Sequence, residues 1–193
     1  MASMPRGRDR LSELICELYV RNYDLPPRTF VPEKSFLAGF DEKLLREVLE
    51  DLYSENELNV GYNDYIYQSL RKTIAILCGI GRGKLIYDVC KHLDLQDKYL
   101  PFNTHAFVPL KDEFECEQKF KTFVGSFNKK QFEFLAVPLD RMDHLIILDA
   151  DRIVPIVSQT HITTGGFAFV SEIRIHEEYD WLGGDKEKVR RRT

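Results

Sequence analysis

The sequence predicts an α+β chain that is mostly helical at first and β-rich towards its end. Three observations carry this. Apolar residues recur at helical spacing in four stretches before residue 94. Beyond residue 104 the apolar runs become short and rich in aromatic and β-branched residues. Finally, residues 159–176 read QTHITTGGFAFVSEIRIH. A β-branched run (160–164) leads into the glycine pair Gly165 and Gly166, and Phe167, Phe169, Ile173 and Ile175 then recur at period two, with a switch at Val170. Strand, glycine turn, strand is a hairpin signal.

The elements follow in order. Residues 1–9 read as a disordered tail. Leu11, Leu14, Ile15 and Leu18 form the first amphipathic stripe, ended by Asp24-Leu25-Pro26-Pro27. A connector carries Phe30, Phe36 and Phe40, expected to dock on helices. Asp41 is a good N-cap for a second helix striped by Leu44, Leu45, Val48, Leu49 and Leu52. Residues 65–78 give a third helix through Ile66, Leu70, Ile74 and Leu77. Leu85, Ile86, Val89, Cys90 and Leu93 give a fourth. Residues 106–110 read as β-like, 112–127 as a helix, and 131–139, 145–148 and 153–157 as short apolar runs. The division expected is a tail (1–9), a helical domain (10–103), a connecting segment (104–158), the glycine hairpin (159–176) and a charged tail (177–193).

Composition bounds the function. The 193 residues suit one domain or two small ones, and 44% hydrophobic residues supply a core. An aromatic content of 12% argues against disorder. A net charge of -4 gives no support for nucleic-acid binding across the surface. Cys16, Cys78, Cys90 and Cys116 have no C-x-x-C spacing and read as reduced, mostly buried thiols. No apolar run reaches transmembrane length, and no apolar segment follows Arg6, Arg8 and Arg10 as a secretory signal requires. The expectation is a cytoplasmic or nuclear protein with no membrane or nucleic-acid partner.

Other chemistry is sparse. The loop Gly79-Ile80-Gly81-Arg82-Gly83-Lys84 reads either as a phosphate-binding βα turn or as a helix C-cap followed by a helix start. Against the first, Cys78 stands at the first P-loop glycine and Leu85 where a hydroxyl would meet Mg²⁺. His92, His105, His144, His161 and His176 have no metal-ligand spacing. Asp143, Asp149 and Asp151 lack the glycine and distal Glu of a calcium loop.

The order I-T-T-G-G-F-A-F-V (162–170) resembles the glycine-rich loop of protein kinases, G-x-G-x-x-G-x-V. Gly165 takes the second glycine position, Thr163 the first and Ala168 the third. The resemblance extends over nearly the whole chain. It is similar to the N-terminal part of protein-kinase-domain proteins of filamentous fungi, where a helical region precedes the kinase fold. TIAILCGIGRGKLIYDVCKHLDLQDKYLPF is similar to that family's helix, loop, helix and "D-x-x-LPF" ending. QFEFLAVPL is similar to its "Q-W-x-FLAPVF". DADRIVPIVSQTHITTGGFAFVSEIRIHEEY is similar to its "x-x-x-ILPF…E-I-x-x-GGFG-x-VY-K-V-x-IHP". Ala168 replaces a family glycine, and His176-Glu177 stands for "IHP".

The resemblance implies a serine/threonine-kinase-like protein whose residues 104–193 approach and begin the kinase N-lobe. It implies that Ile162, Thr163, Thr164, Gly165, Gly166, Phe167, Ala168 and Val170 meet ATP. Phe167 would cover the phosphates and Val170 would sit above the adenine. No H-R-D-x-x-x-x-N or D-F-G segment occurs in the chain. Catalytic residues are therefore expected to be none, Mg²⁺ is unsupported, ATP binding is expected to be weak, and the chain alone should be inactive. Lys186 and Lys188, at a plausible distance for a β3 lysine, read as part of a solvated tail, as do Arg190, Arg191 and Arg192. Two alternatives stand beside this: a helical interaction module carrying a remnant hairpin, and a small nucleotide-binding protein using residues 79–84. An open strand edge is expected to favour self-association.

Overall fold

The computed structural model describes residues 6–23, 28–58, 60–92, 95–140, 150–164 and 169–181, with backbone alone at 60, 139, 140, 164, 169 and 181. The fold is α+β. Its helices are α1 (Gly7–Leu18), α2 (Glu33–Gly39), α3 (Glu42–Leu52), α4 (Asn63–Ser69), α5 (Arg71–Gly79), α6 (Ile86–Cys90) and α7 (Glu117–Gln131). Its strands are β1 (Val20–Arg21), β2 (Thr29–Phe30), β3 (Leu139–Asp140), β4 (Ile156–Thr164), β5 (Phe169–Ile175) and β6 (Asp180–Trp181). They pair as three two-stranded sheets among the described residues: β1 with β2 and β4 with β5 antiparallel, β3 with β6 parallel.

The helix α3 forms as its stripe dictates. Asp41 accepts the Leu44 N–H at 2.8 Å, and all five stripe residues are buried. It packs on α1, which begins at Gly7, inside the stretch expected as a tail. A Cβ at Gly7 would lie 2.3 Å from the Glu47 carbonyl carbon, so the two backbones meet only because residue 7 is glycine.

The helix α5 is the axis of the body. Lys72, Thr73, Ile74, Ala75, Ile76 and Leu77 are consecutive and all buried. A helix buried all round needs its polar groups answered. Asp97 does this at the N-terminus, accepting the N–H groups of Lys72 and Thr73 at 2.7 and 2.9 Å and the Thr73 hydroxyl at 2.7 Å. The Lys72 ammonium meets Glu33 at 2.6 Å.

Several sequence expectations are corrected. The single helix over 65–78 is two helices, broken at Leu70 (φ -137°, ψ 18°). Residues 106–110 belong to a 3-10 segment, Thr104–Glu113, not to a strand. The helix expected over 112–127 runs from Glu117 to Gln131. Of the four cysteines only Cys90 is fully buried, while Cys16 and Cys116 are exposed; all four are free thiols.

One apolar core runs from Leu11 to Phe134. It passes residue 103 without interruption, taking in Leu110 and the phenylalanines Phe107, Phe123 and Phe127, whose rings pack edge-to-face or tilted. Buried Gln131 ties the connecting segment in, its amide accepting from the Phe102 N–H and donating to the Phe102 carbonyl. A second, smaller cluster joins Phe30, Ala136, Ile153 and Tyr179.

Candidate functional site

The β4–β5 hairpin is the site the sequence singles out. Thr160, Thr163, Thr164, Ile156, Val157, Ile162, Val170, Ile173 and Ile175 are β-branched and favour extended backbone. The strands pair from Ile156↔Ile175 at the stem to Thr163↔Val170 and Thr164↔Phe169 at the far end. Both irregularities in register fall on β4, where Val157 and Ile162 are extra residues, while β5 runs continuously.

The stem is the anchored part. Val157 and Ile175 pack against the smaller cluster. The Ile156 carbonyl accepts the Tyr23 N–H at 3.1 Å, and the His176 N–H donates to Pro155 at 2.9 Å. The chain after β5 then returns to the body. Glu178 accepts the N–H groups of Lys34 and Ser35 at the start of α2, and also bonds the Ser35 hydroxyl. Tyr179 Oη accepts the Glu33 N–H at 3.0 Å. Burial pushes the Tyr179 phenol up to about 12, so it stays protonated.

Towards the far end of the paired strands the packing ends. Ile162, Val170 and Ile173 are 61%, 49% and 47% exposed. Of the apolar residues shortly before the hairpin that could cover this surface, Phe132, Phe134, Leu145 and Ile147, the first two do not. Phe134 is buried against Phe36, and Phe132 lies beneath Arg152. Leu145 and Ile147 lie outside the described residues.

Of the eight residues expected to meet ATP, the structure places Ile162, Thr163 and Val170 as exposed strand residues and Thr164 as the last residue of β4. Gly165, Gly166, Phe167 and Ala168 lie outside the described residues, as do Lys186, Lys188, Arg190, Arg191 and Arg192.

The second candidate, residues 79–84, is a helix cap. Gly81 has φ +71°, the Arg82 N–H donates to the Leu77 carbonyl at 2.7 Å, and the Gly81 N–H donates to Cys78 at 3.0 Å. These two bonds and the left-handed residue define a Schellman C-terminus for α5. Thr73 to Leu77, which a βα phosphate turn would need as a strand, is helix. Burial pushes the neighbouring Cys78 thiol up to about 12, which leaves it a poor nucleophile.

One polar cluster escaped the sequence. Tyr19 Oη donates to Glu133 at 2.6 Å, and Lys130 Nζ donates to Tyr19 Oη at 2.6 Å and to Glu133 at 2.8 Å. It sits beside a cavity of about 340 Å³ lined by Tyr19, Lys130 and Cys78, and Glu133 borders another of about 530 Å³. Burial, then the Glu133 bond, raises the Tyr19 phenol. Every charge in the cluster is answered within it, so it acts as a brace between the end of α1 and the end of α7. The i, i+3 spacing of Lys130 and Glu133 was the only local signal.

Among the described residues no group of three metal-ligating side chains comes together, and no helix is long and apolar enough to cross a membrane. Comparison with protein-family models, with curated proteins and with solved structures finds no match.

Proposed function

We propose that this is a protein-kinase-family chain whose β4–β5 hairpin is the glycine-rich flap over the phosphates of ATP. One observation carries the reading. The hairpin supplies the paired strands that such a loop needs, with Thr163 opposite Val170 and Thr164 opposite Phe169. Thr163 and Val170 are open to an approaching ligand. Small residues at such a turn let backbone N–H groups approach phosphate oxygens. The chain carries no H-R-D or D-F-G segment, so nothing in it positions a hydroxyl nucleophile or Mg²⁺. Its own contribution is nucleotide contact without phosphoryl transfer.

Titration calorimetry of the 193-residue chain with ATP tests this. Weak binding, with a dissociation constant of about 1 mM, lost in Gly165→Pro, is expected. No ATP-dependent signal, or a signal unchanged by Gly165→Pro, overturns the flap reading. Transfer of labelled phosphate above a buffer blank, abolished by Gly165→Pro, overturns the claim that the chain alone is inactive.

A second reading, an interaction module, is favoured by the exposed Ile162, Val170 and Ile173. Apolar side chains on an arm that the body does not cover suit a protein contact better than a nucleotide pocket.

A further inference from the structure

We propose that β5 is a dimerisation edge, pairing antiparallel with β5 of a second copy of this chain about a two-fold axis at Ile173. Four observations select this occupant.

The first is the edge itself. Among the described residues β4 and β5 form a sheet of two strands, so the outer side of β5 has no strand beside it. An unpaired edge presents backbone N–H and C=O groups to any strand that can align with it.

The second is the choice of strand. The two extra residues, Val157 and Ile162, both interrupt β4. Bulges of this kind blunt an edge. The foot of β4 is also engaged, since the Ile156 carbonyl accepts the Tyr23 N–H. In β5 the seven residues FVSEIRI run without a bulge.

The third is charge. An antiparallel pairing centred on Ile173 sets Glu172 of each copy opposite Arg174 of the other, and Ile173 opposite Ile173. Both charge contacts are attractive and the symmetry makes them twice. Within one chain Glu172 faces Thr160 and Arg174 faces Ser158 across the hairpin. Neither is in an ion pair among the described residues, and both are exposed. Moving the axis one residue either way, to Glu172 or Arg174, sets like charges against each other. The sequence thus specifies one register, as opposite charges across a strand pair do.

The fourth is the apolar residue at the axis. Ile173 is 47% exposed. An isoleucine held open to water on a strand edge gains from meeting its own copy. A two-fold contact is closed, so it gives a dimer with a continuous four-stranded sheet rather than a fibre.

The pairing uses residues 171–175 and leaves residues 165–168 outside it. It does not rest on the nucleotide reading, and the two tests fail separately.

The test is the mass of the full 193-residue chain by light scattering across a wide concentration range. The wild-type chain is expected to pass from monomer to dimer. Glu172→Arg alone, or Arg174→Glu alone, turns both attractive contacts repulsive and should weaken the dimer about tenfold or more. The double exchange Glu172→Arg/Arg174→Glu restores it. Mixing the two single variants also restores it, because one chain then carries both positive and the other both negative partners. Ile173→Lys, placing two ammonium groups at the axis, should abolish it. These positions are exposed, and circular dichroism checks that each variant is folded. A wild-type chain that stays monomeric overturns the proposal. So does a dimer indifferent to the single reversals, which would lie on another face.

Discussion

The helical body and the β4–β5 arm are built on opposite principles. In the body, Phe36 and Phe127 are 0% and 1% exposed, and α5 is buried on every side. In the arm, Ile162, Val170 and Ile173 are about half exposed. The body is held by burial; the arm is held by strand pairing and by its stem. An isolated two-stranded hairpin is marginal in water, and this one is fastened at the stem by Val157, Ile175, Tyr23 and the returning segment with Glu178 and Tyr179. The difference teaches that β-branched residues in the arm serve the backbone conformation first. Their side chains remain available for contact.

The largest effect tests that division directly. Phe127→Ala removes a ring packed against Phe102, Phe107 and Phe123 and should cost about 3–5 kcal/mol. Ile173→Thr, equally apolar in the starting residue, should change stability by less than about 0.5 kcal/mol. Urea unfolding, with the protein dilute enough to be monomeric, gives both numbers. Comparable losses at the two sites would mean that the arm is part of the core.

The comparison also separates what was legible in the sequence from what was not. The helix α3 could be read whole, because its cap and its stripe are local: Asp41, then Leu44, Leu45, Val48, Leu49 and Leu52. The hairpin could be read because glycine and β-branched residues act over a few positions. The break at Leu70 could not, since the group that starts α5 is the carboxylate of Asp97, far along the chain. Residues 106–110 misled because Phe107 and Leu110 are spaced i, i+3, which a 3-10 turn presents to one side. The anchoring of the arm by Glu178 and Tyr179 on α2 spans more than 140 residues and leaves no local mark.

A middle-sized effect probes the carboxylate that caps α5. Asp97→Ala leaves the Lys72 and Thr73 N–H groups without their acceptor and should cost about 1–3 kcal/mol. Its titration has a definite sign. Burial, outweighing the bonds from Thr73 and Lys72, raises the Asp97 carboxyl above its ordinary 3.8. The folded state therefore holds this proton more tightly than the unfolded chain does. The contribution is fully present below pH 3.8 and is lost as pH rises through the raised value. Asp97→Asn cannot titrate. Measured at a series of pH values, the stability of the wild type relative to Asp97→Asn should fall as pH rises above 3.8. A rise instead would show that the three hydrogen bonds outweigh burial.

The smallest effect concerns the joint between the two regions. Tyr179 sits in the second cluster, its ring 5.8 Å from Phe30, and its oxygen accepts the Glu33 N–H. Tyr179→Phe keeps the ring and deletes that acceptor, so the loss should be about 1 kcal/mol. The place of the loss matters more than its size. If the arm is fastened to an independently stable body, the stem should open locally while the body stays closed. Amide exchange should then quicken at Tyr23 and His176, whose N–H groups bond across the stem. The amides of Ile74 to Leu77 in α5 should be unchanged. Uniform quickening across both sets would mean that stem and body unfold together, and the contrast between a buried body and a tethered arm would give way to a single cooperative unit.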